Sequence, residues 1–210
     1  MIELRSATIP FVAVDRELPT DLGGAAVFSD HADGVEAAAR YLVSLGHRRI
    51  GLIAGPNSLR PGREASVALA RFCDEHPDVT CAIEHGEFSR EFGETATGRM
   101  LTARSRPTAL IAGGYQILLG ILAAVRAFEM TIPQDVSVIS FDDPDALEFF
   151  DPPIAALSRE PLELGRRAAE QLLASLRGES PEAVIVAPVF RPRRSCAAPP
   201  DLGVLEPRST

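Results

Sequence analysis

The chain of 210 residues has no tryptophan and few aromatic residues, so its core has to be built largely from Leu, Ile, Val and Ala. It also has no run of about 20 apolar residues, the length that a membrane span needs. No basic segment followed by an apolar one begins the sequence, so we expect no secretion signal and a cytoplasmic protein. The net charge of −8 gives the chain as a whole no electropositive surface for a nucleic-acid backbone.

Only three cysteines are present, Cys73, Cys81 and Cys196, and their spacing does not match that of a metal site. An odd number without a recognisable framework fits a reducing compartment, so we expect buried or inert thiols. Hydrophobic residues make up 46% of the chain and charged residues 24%, which is ordinary globular composition. The length suffices for one domain or two small ones.

Short apolar runs that are rich in β-branched residues alternate with longer segments of helical period. The runs are almost continuously apolar, which predicts strands that are covered on both faces, as in parallel sheets. We predict eight strands, at residues 9–14, 25–28, 49–54, 80–84, 108–112, 136–141, 154–157 and 183–188.

Three of the intervening segments have an apolar stripe at helical spacing. They predict helices at residues 33–45, 117–128 and 161–176. Asp30 or Asp33 can cap the first of them and Gly46 can end it, and we expect His47 in the following turn to be a surface or capping residue. The tail from Arg191 is expected to be extended. This alternation of strands and helices predicts a doubly wound α/β architecture.

Ligands of open parallel sheets bind outside the carboxyl ends of the strands. The side chains that follow predicted strands and could contact a ligand there are those of Arg60, Arg63, His85, Phe88, Tyr115, Gln116, Asp142 and Asp143. Guanidinium, carboxylate and aromatic groups suit a small polar ligand that is held by hydrogen bonds and ring stacking. From the residues alone, Arg63 can equally be a solvated helix residue and Phe88 a core residue. Asp142 and Asp143 can equally cap the helix that follows.

Several catalytic motifs are missing from the sequence. The loop "GPNSLRPG" lacks the Lys-Ser/Thr ending of a phosphate-binding loop, and no Gly-x-Ser-x-Gly occurs. We expect no enzyme, no catalytic residue, no cofactor and no metal. The adjacent Asp142 and Asp143 leave a metal-dependent hydrolase open as an alternative, although no His or Cys at ligand spacing supports it.

Five segments follow one another in an order that is typical of one protein family. They are "IPFVAVDR", "VFSDHADGVEAAARYLVSLGHRRIGLIAGP", "RPTALIAGGYQILLGILAAVRAFEMTIPQDVSVISFDD", "DPPIAALSREPLELGRRAAEQLL" and "VIVAPVFRPRRS". Together they resemble the effector-binding core of the lactose-repressor/galactose-repressor (LacI/GalR) family of bacterial transcription regulators. The resemblance implies a periplasmic-binding-protein-like α/β fold. In this fold two Rossmann-like subdomains are joined by three crossover strands, and an effector lies in the cleft between them.

The resemblance also predicts how the chain is divided. We expect a partial N-subdomain at 1–30, an effector-binding C-subdomain at 31–156, a return to the N-subdomain at 157–190 and a C-terminal tail at 191–210. The hinge is expected at Phe28, Ser29, Ser158 and Val189. The helix-turn-helix headpiece of the family and the first strand–helix units of its N-subdomain have no counterpart in the sequence. The N-subdomain is therefore expected to be incomplete, and the chain by itself should not bind an operator.

Residue roles are implied where the positions match. Arg63 would clamp the effector, Phe88 would stack on it, and Asp142 would accept hydrogen bonds from its hydroxyl or ring N–H groups. Tyr115 and Gln116, which follow a neighbouring strand, would complete the ligand-binding set.

Two positions depart from the family pattern. Gly114-Tyr115 stands where Asn-Asp is usual, and Ser66 stands where a glycine usually follows Arg63 by three residues. These changes argue against sugar recognition of the usual kind. The implied partners are a small-molecule effector (a sugar, nucleoside or purine-like compound) and operator DNA through a headpiece. A second copy, in a homodimer, is implied if the N-subdomain is completed, and no membrane is implied. A solute-binding protein for a sugar or nucleoside, which shares the fold, is the alternative.

Overall fold

The computed structural model describes residues 10–18, 24–179 and 182–201. Its strands are β1 (Val12–Val14), β2 (Ala25–Ser29), β3 (Arg49–Ala54), β4 (Thr80–His85), β5 (Ala109–Ala112), β6 (Ser137–Phe141), β7 (Ala155–Ser158), β8 (Val184–Val186) and β9 (Val189–Arg191). Its helices are α1 (His31–Ser44), α2 (Arg60–Glu75), α3 (Arg90–Thr102), α4 (Tyr115–Ala127) and α5 (Pro161–Leu176), with a short 3-10 helix at Asp145–Phe149.

The strands form two separate sheets. The larger sheet has the order β4-β3-β5-β6-β7-β9 and is parallel except for β9, which pairs antiparallel with β7. The smaller sheet has the order β1-β2-β8 and is parallel throughout. The chain passes between the sheets after β2, after β7 and after β8, which confirms the predicted two-part α/β fold with three connections. In the described ranges, no helix is long and apolar enough to cross a membrane.

The large sheet is covered by helices on both faces. Successive residues of β5 point to opposite sides of the sheet, as the pleat of a strand requires. Ile111 packs with Leu42 of α1 and Phe72 of α2, whereas Leu110 packs with Ile121 of α4. This double coverage is the physical reason why the strands are continuously apolar in sequence.

The observed ends of the helices and strands agree with the predicted ones except at a few positions. The side chain of Asp30 accepts a hydrogen bond of 2.9 Å from the backbone N–H of Asp33, so Asp30 is the cap of α1. The strand predicted at 183–188 is too long, because β8 ends at Val186. The chain then crosses to the large sheet, where β9 begins at Val189. Pro188, which lies between β8 and β9, has no N–H to offer a ladder. Ile9, the first residue of the strand predicted at 9–14, lies outside the described residues.

The small subdomain has only one helix, α5, among the described residues. Leu164 is the only residue of α5 that is buried. Leu162, Leu173 and Leu176 are 90%, 52% and 63% exposed, although they belong to an apolar stripe. The described part of the small subdomain therefore leaves most of the apolar stripe of α5 exposed, and the incompleteness of this subdomain stays a prediction.

His47 is not a surface residue, so that half of the expectation is wrong, whereas its backbone N–H does cap the end of α1 through a hydrogen bond of 3.0 Å to the carbonyl oxygen of Leu42. It is completely buried, and its ring joins the turn after α1 to the starts of β5 and β6 and to the tail. Nδ1 lies 2.8 Å from the hydroxyl of Thr108, and Nε2 lies 3.1 Å from the hydroxyl of Ser137 and 2.9 Å from the carbonyl oxygen of Ala197. Burial lowers the pKa of His47, and the hydrogen bond to Ala197 only partly opposes this shift.

The described part of the tail, residues 191–201, packs against the large sheet. Ser195 is completely buried. Its hydroxyl accepts a hydrogen bond of 2.8 Å from the N–H of Ala155 and donates one of 2.6 Å to the carbonyl oxygen of Val138. The tail thereby bridges β6 and β7 and belongs to the core of the large subdomain.

The cysteines fulfil the sequence expectation only in part. Cys73, near the end of α2, and Cys81, in β4, form a disulfide, so the expectation of inert thiols is wrong for these two. Cys196 is a free thiol, and its burial raises its pKa to about 12. It is therefore protonated and unreactive at neutral pH.

Candidate ligand-binding cleft

A cavity of about 1090 Å³ lies between the two subdomains. One wall is formed by residues 11–18, around β1 of the small sheet. The other wall is formed by the loop that follows β3 and by the segments at the ends of β5 and β6. The lining residues of this second wall include Ser58, Leu59, Arg60, Pro61, Phe88, Gly113, Gly114, Tyr115, Gln116, Phe141 and Asp142. The cavity therefore lies at the carboxyl ends of parallel strands, where the sequence places a ligand.

Asp142 directly follows β6 and points its carboxylate into the cleft. Its backbone φ of 106° is unusual for a residue other than glycine, and such strained conformations cluster at functional sites. One carboxylate oxygen accepts a hydrogen bond of 3.2 Å from the N–H of Tyr115, at the start of α4. The other lies 2.7 Å from Nε of Arg159. Asp142 is thus fixed in orientation from two sides.

Arg159 joins the two walls of the cleft. It follows β7, where the chain leaves the large sheet, and its Nη1 donates a hydrogen bond of 3.0 Å to Asp15. Asp15 follows β1 of the small sheet, so a chain of charges runs from Asp15 through Arg159 to Asp142 across the cleft.

Asp15 is held as a carboxylate by its surroundings. The backbone N–H and the hydroxyl of Ser29 donate hydrogen bonds of 2.6 and 2.9 Å to its two oxygens. Nε2 of His31 lies 3.9 Å from the nearer oxygen. Burial alone would raise the pKa of Asp15, but the adjacent His31 and the two Ser29 donors hold the pKa well below its usual value.

The predicted aromatic and amide residues line the cleft together. The ring of Phe88 is 39% exposed and lies against Gly55 and Gly114, which have no side chains to obstruct it. Tyr115 and Gln116 form the first turn of α4 at the edge of the cavity. Phe88, Tyr115, Gln116 and Asp142 therefore share one cavity, while their contact with a ligand stays a prediction.

Arg63 does not line the cavity. Its Nη2 lies 2.6 Å from Glu17, which belongs to the opposite wall, so it joins the subdomains at the rim. Arg60, one turn earlier in α2, does line the cavity. Its guanidinium carbon lies 3.8 Å above the ring of Phe28, and its Nε lies 2.6 Å from Glu64.

The predicted hinge residues lie where the chain changes sheets. Phe28 and Ser29 end β2 just before α1, Ser158 ends β7, and Val189 begins β9. Ser158 and Val189 are directly paired across these two strands. Whether the subdomains rotate about these residues stays a prediction.

Three residues of the cleft were not singled out from the sequence, namely Asp15, His31 and Arg159. Each of them follows a strand closely: Asp15 follows β1, His31 follows β2 and Arg159 follows β7. The rule that identified Asp142 could have found them as well, if it had been applied to every strand rather than to four.

Asp143 does not act together with Asp142. Its side chain is only 5% exposed, and its oxygens accept hydrogen bonds of 2.6 and 3.1 Å from Arg193 of the tail. Within residues 10–18, 24–179 and 182–201, no group of three or more His, Cys, Asp or Glu residues could hold a metal. The paired-acid hydrolase therefore gains no support from this geometry.

Known proteins share this arrangement. A family model described as a periplasmic binding protein-like domain matches residues 39–196. The HTH-type transcriptional repressor PurR of Shigella sonnei is 32% identical over 199 residues, which are 91% of this chain and 58% of that protein. The chain thus spans 58% of the length of this curated relative.

Two solved structures have the same fold over most of the chain. A LacI family transcriptional regulator from Bifidobacterium animalis subsp. lactis superposes with a TM-score of 0.81 at 27% identity, covering 90% of this chain and 78% of that one. A LacI family transcriptional regulator from Enterococcus faecium with bound ribose superposes with a TM-score of 0.75 at 25% identity, covering 90% and 71%. The relative is named as a transcriptional repressor and both structures as transcriptional regulators. The chain therefore belongs to the periplasmic binding protein-like domain family, and over most of its length it is similar to the corresponding part of LacI family transcriptional regulators.

Proposed function

We propose that the chain is the small-molecule sensing core of a transcription regulator and that its effector binds in the cleft between the two sheets. The observation that carries the proposal is the position of Asp15, Arg159 and Asp142. These residues come from the two subdomains and from a connecting segment, and they meet in one cavity. A ligand that contacts such a set changes the relative free energies of open and closed arrangements. Ligand-driven closure about a hinge is a known switching mode.

The same geometry supports binding without turnover. Both carboxylates of the set are paired with Arg159, which favours a role in binding over a role as a general base. We therefore assign no catalytic residue. The regulators in the comparison support this assignment.

DNA contact is not assigned to any residue of this chain. The net charge of −8 opposes association with a phosphate backbone. We expect the 210-residue chain alone to show no sequence-specific operator binding in an electrophoretic mobility assay, and tight specific binding would contradict this. We also propose a homodimer, provided that the small subdomain is completed. The support is the exposed apolar surface of the α5 leucines, which a second copy would bury.

The effector site is tested by thermal unfolding with a panel of pentoses, hexoses, nucleosides and purines and their acidic derivatives. A ligand at 100 times its Kd stabilises the folded chain by about 2.7 kcal/mol, which corresponds to a Tm increase of about 5–10 °C at this size. Asp142→Asn should weaken binding by at least about tenfold, because it removes a charge-assisted acceptor.

Asp145→Asn is the matched control. It makes the same chemical change three residues later, at an exposed position outside the cavity lining, and should leave binding unchanged. If no compound of the panel raises the Tm, or if both variants respond like the wild type, the cleft is not the effector site.

A further inference from the structure

We infer that the ligand of this cleft carries an anionic group, a carboxylate or a phosphate, that binds between Arg60 and Arg159. The inference rests on the proposed function and narrows the ligand to a chemical class. It follows from which polar groups of the described lining already have partners and which do not.

The carboxylates of the lining are already paired. Asp15 accepts hydrogen bonds from Ser29 and Arg159, and Asp142 accepts from Tyr115 and pairs with Arg159. Glu17 pairs with an arginine at the rim. A neutral polyhydroxyl ligand, which needs free acceptors for its O–H groups, would have to compete with these contacts.

The guanidinium groups, in contrast, keep unused donors. Arg159 uses Nε and Nη1 for its two carboxylates, which leaves Nη2 without a partner among the described residues. Arg60 is held from two sides, by the ring of Phe28 beneath it and by Glu64 at Nε, and its terminal nitrogens donate to no described residue. A guanidinium fixed in this way is pre-organised for bidentate binding of a carboxylate or phosphate.

Two helices begin at the same cavity, and neither has a side-chain cap from its own N-cap residue, which is Leu59 in α2 and Gly114 in α4. In α4 the N–H of Tyr115 already donates to Asp142, and in α2 Pro61 has no N–H, so it is the remaining N–H groups of each first turn that are open to a ligand. Residues of both first turns line the cavity. The first turn of a helix has unpaired N–H groups and a partial positive charge, both of which favour an anion.

A buried histidine provides an independent indication of a ligand. The side chain of His31 is 6% exposed and lines the cavity, yet its Nε2 has no hydrogen-bond partner among the described residues. Its nearest acid, Asp15, is 3.9 Å away. Buried polar groups are rarely left without a partner, and a ligand atom in the cavity would supply one.

The test compares neutral compounds with their acidic derivatives. Ribose and ribose 5-phosphate, guanosine and guanosine monophosphate, and glucose and glucuronate are titrated into the 210-residue chain by calorimetry. We expect the acidic member of at least one pair to bind at least about tenfold more tightly than its neutral partner. The phosphate and carboxylate pairs distinguish the two possible anions, and the difference should shrink in high salt.

Variants locate the anion. Arg60→Gln and Arg159→Gln should each reduce the affinity for the acidic compound by about tenfold to a hundredfold, and each should change the affinity for the neutral compound by a smaller factor. Arg159→Lys, which keeps the charge, should restore part of the loss even if Arg159→Gln folds poorly. Arg99→Gln is the control, because Arg99 pairs with Glu84 on the surface, outside the cavity lining.

The possible failures are distinguishable. If neutral compounds bind as tightly as their acidic partners and the arginine variants change neither, the ligand is not anionic but the cleft remains a sensing site. If no compound binds in either form, the proposed function itself fails.

Discussion

Replacement of His47 tests whether the turn after α1, the sheet and the tail form one cooperative unit. The ring makes three contacts of hydrogen-bond length, but a neutral imidazole has one N–H and one acceptor nitrogen, so it makes two full hydrogen bonds of about 1 kcal/mol net each. Loss of the packing of the ring adds about 1 kcal/mol. His47→Ala should therefore lower the free energy of unfolding by about 3 kcal/mol, a large share of the roughly 5–15 kcal/mol of a typical protein. Urea denaturation measures the change, and with an m-value of about 3 kcal/mol/M the midpoint should fall by about 1 M.

The same residue sets a direction for the pH dependence of stability. The carbonyl oxygen of Ala197 can only accept, so Nε2 of His47 carries a hydrogen, and burial disfavours the second hydrogen on Nδ1 that would charge the ring. Burial lowers the folded-state pKa below the ordinary value of 6.5, and therefore the unfolded chain binds a proton more readily. The contribution of His47 to stability is fully present above pH 6.5 and is lost as the pH falls through the folded-state pKa.

A second variant separates this effect from general acid unfolding. His47→Gln keeps an amide that can make part of the contacts but cannot titrate. It should be less stable than the wild type at about pH 7.5 and should lose less stability between about pH 7.5 and pH 5.5. His85→Gln, at an exposed histidine, should keep the pH dependence of the wild type. If His47→Gln has the same pH dependence as the wild type, the reasoning about the buried neutral ring is refuted.

Two further substitutions test packing and buried polar contacts. Gly120 of α4 lies so close to the carbonyl oxygen of Arg90 in α3 that a Cβ would overlap it, so Gly120→Ala should cost about 1–3 kcal/mol in urea denaturation. Gly165→Ala is its control, because a Cβ there meets no atom within 4 Å, and it should stabilise α5 by up to about 1 kcal/mol. Equal effects at the two glycines would contradict the helix contact. Ser195→Ala should cost about 2–3 kcal/mol, because it leaves two buried backbone groups unpaired, whereas Ser44→Ala at an exposed position should cost less than about 0.5 kcal/mol. A Ser195→Ala variant with unchanged thermal stability would show that the tail is not part of the core.

Patterns that depend on neighbours in sequence predicted the fold well. Apolar strand runs and helical stripes arise because burial repeats with the period of the local structure, so β3, β6 and α5 are evident from residue spacing alone. Asp30 as a cap and Pro161 at the start of α5 follow from equally local rules.

The candidate site could be predicted only in part. The position of Asp142 after a strand is a local property, and it led to the cleft. The sequence could not show which of the two arginines of α2, Arg60 or Arg63, points into the cavity, because this depends on the direction in which each side chain leaves the helix. One turn of helix separates the arginine that lines the cavity from the one that pairs across its rim.

The sequence by itself determined eight of the nine described strands, three of the five described α-helices, the carboxyl-end location of the polar residues and the family resemblance, because each is carried by residues close together in the chain. It did not predict α2, α3 or β9. Only the tertiary structure decided the pairing of charges, namely Asp142 and Asp15 with Arg159, and Asp143 with Arg193. The physical reason is that a carboxylate pairs with whichever guanidinium the sheet order and the connections bring within about 3 Å, and this distance is not encoded in sequence separation. Asp142 and Asp143 are adjacent in sequence but have different roles. Asp142 faces the cleft, whereas Asp143 binds Arg193 of the tail.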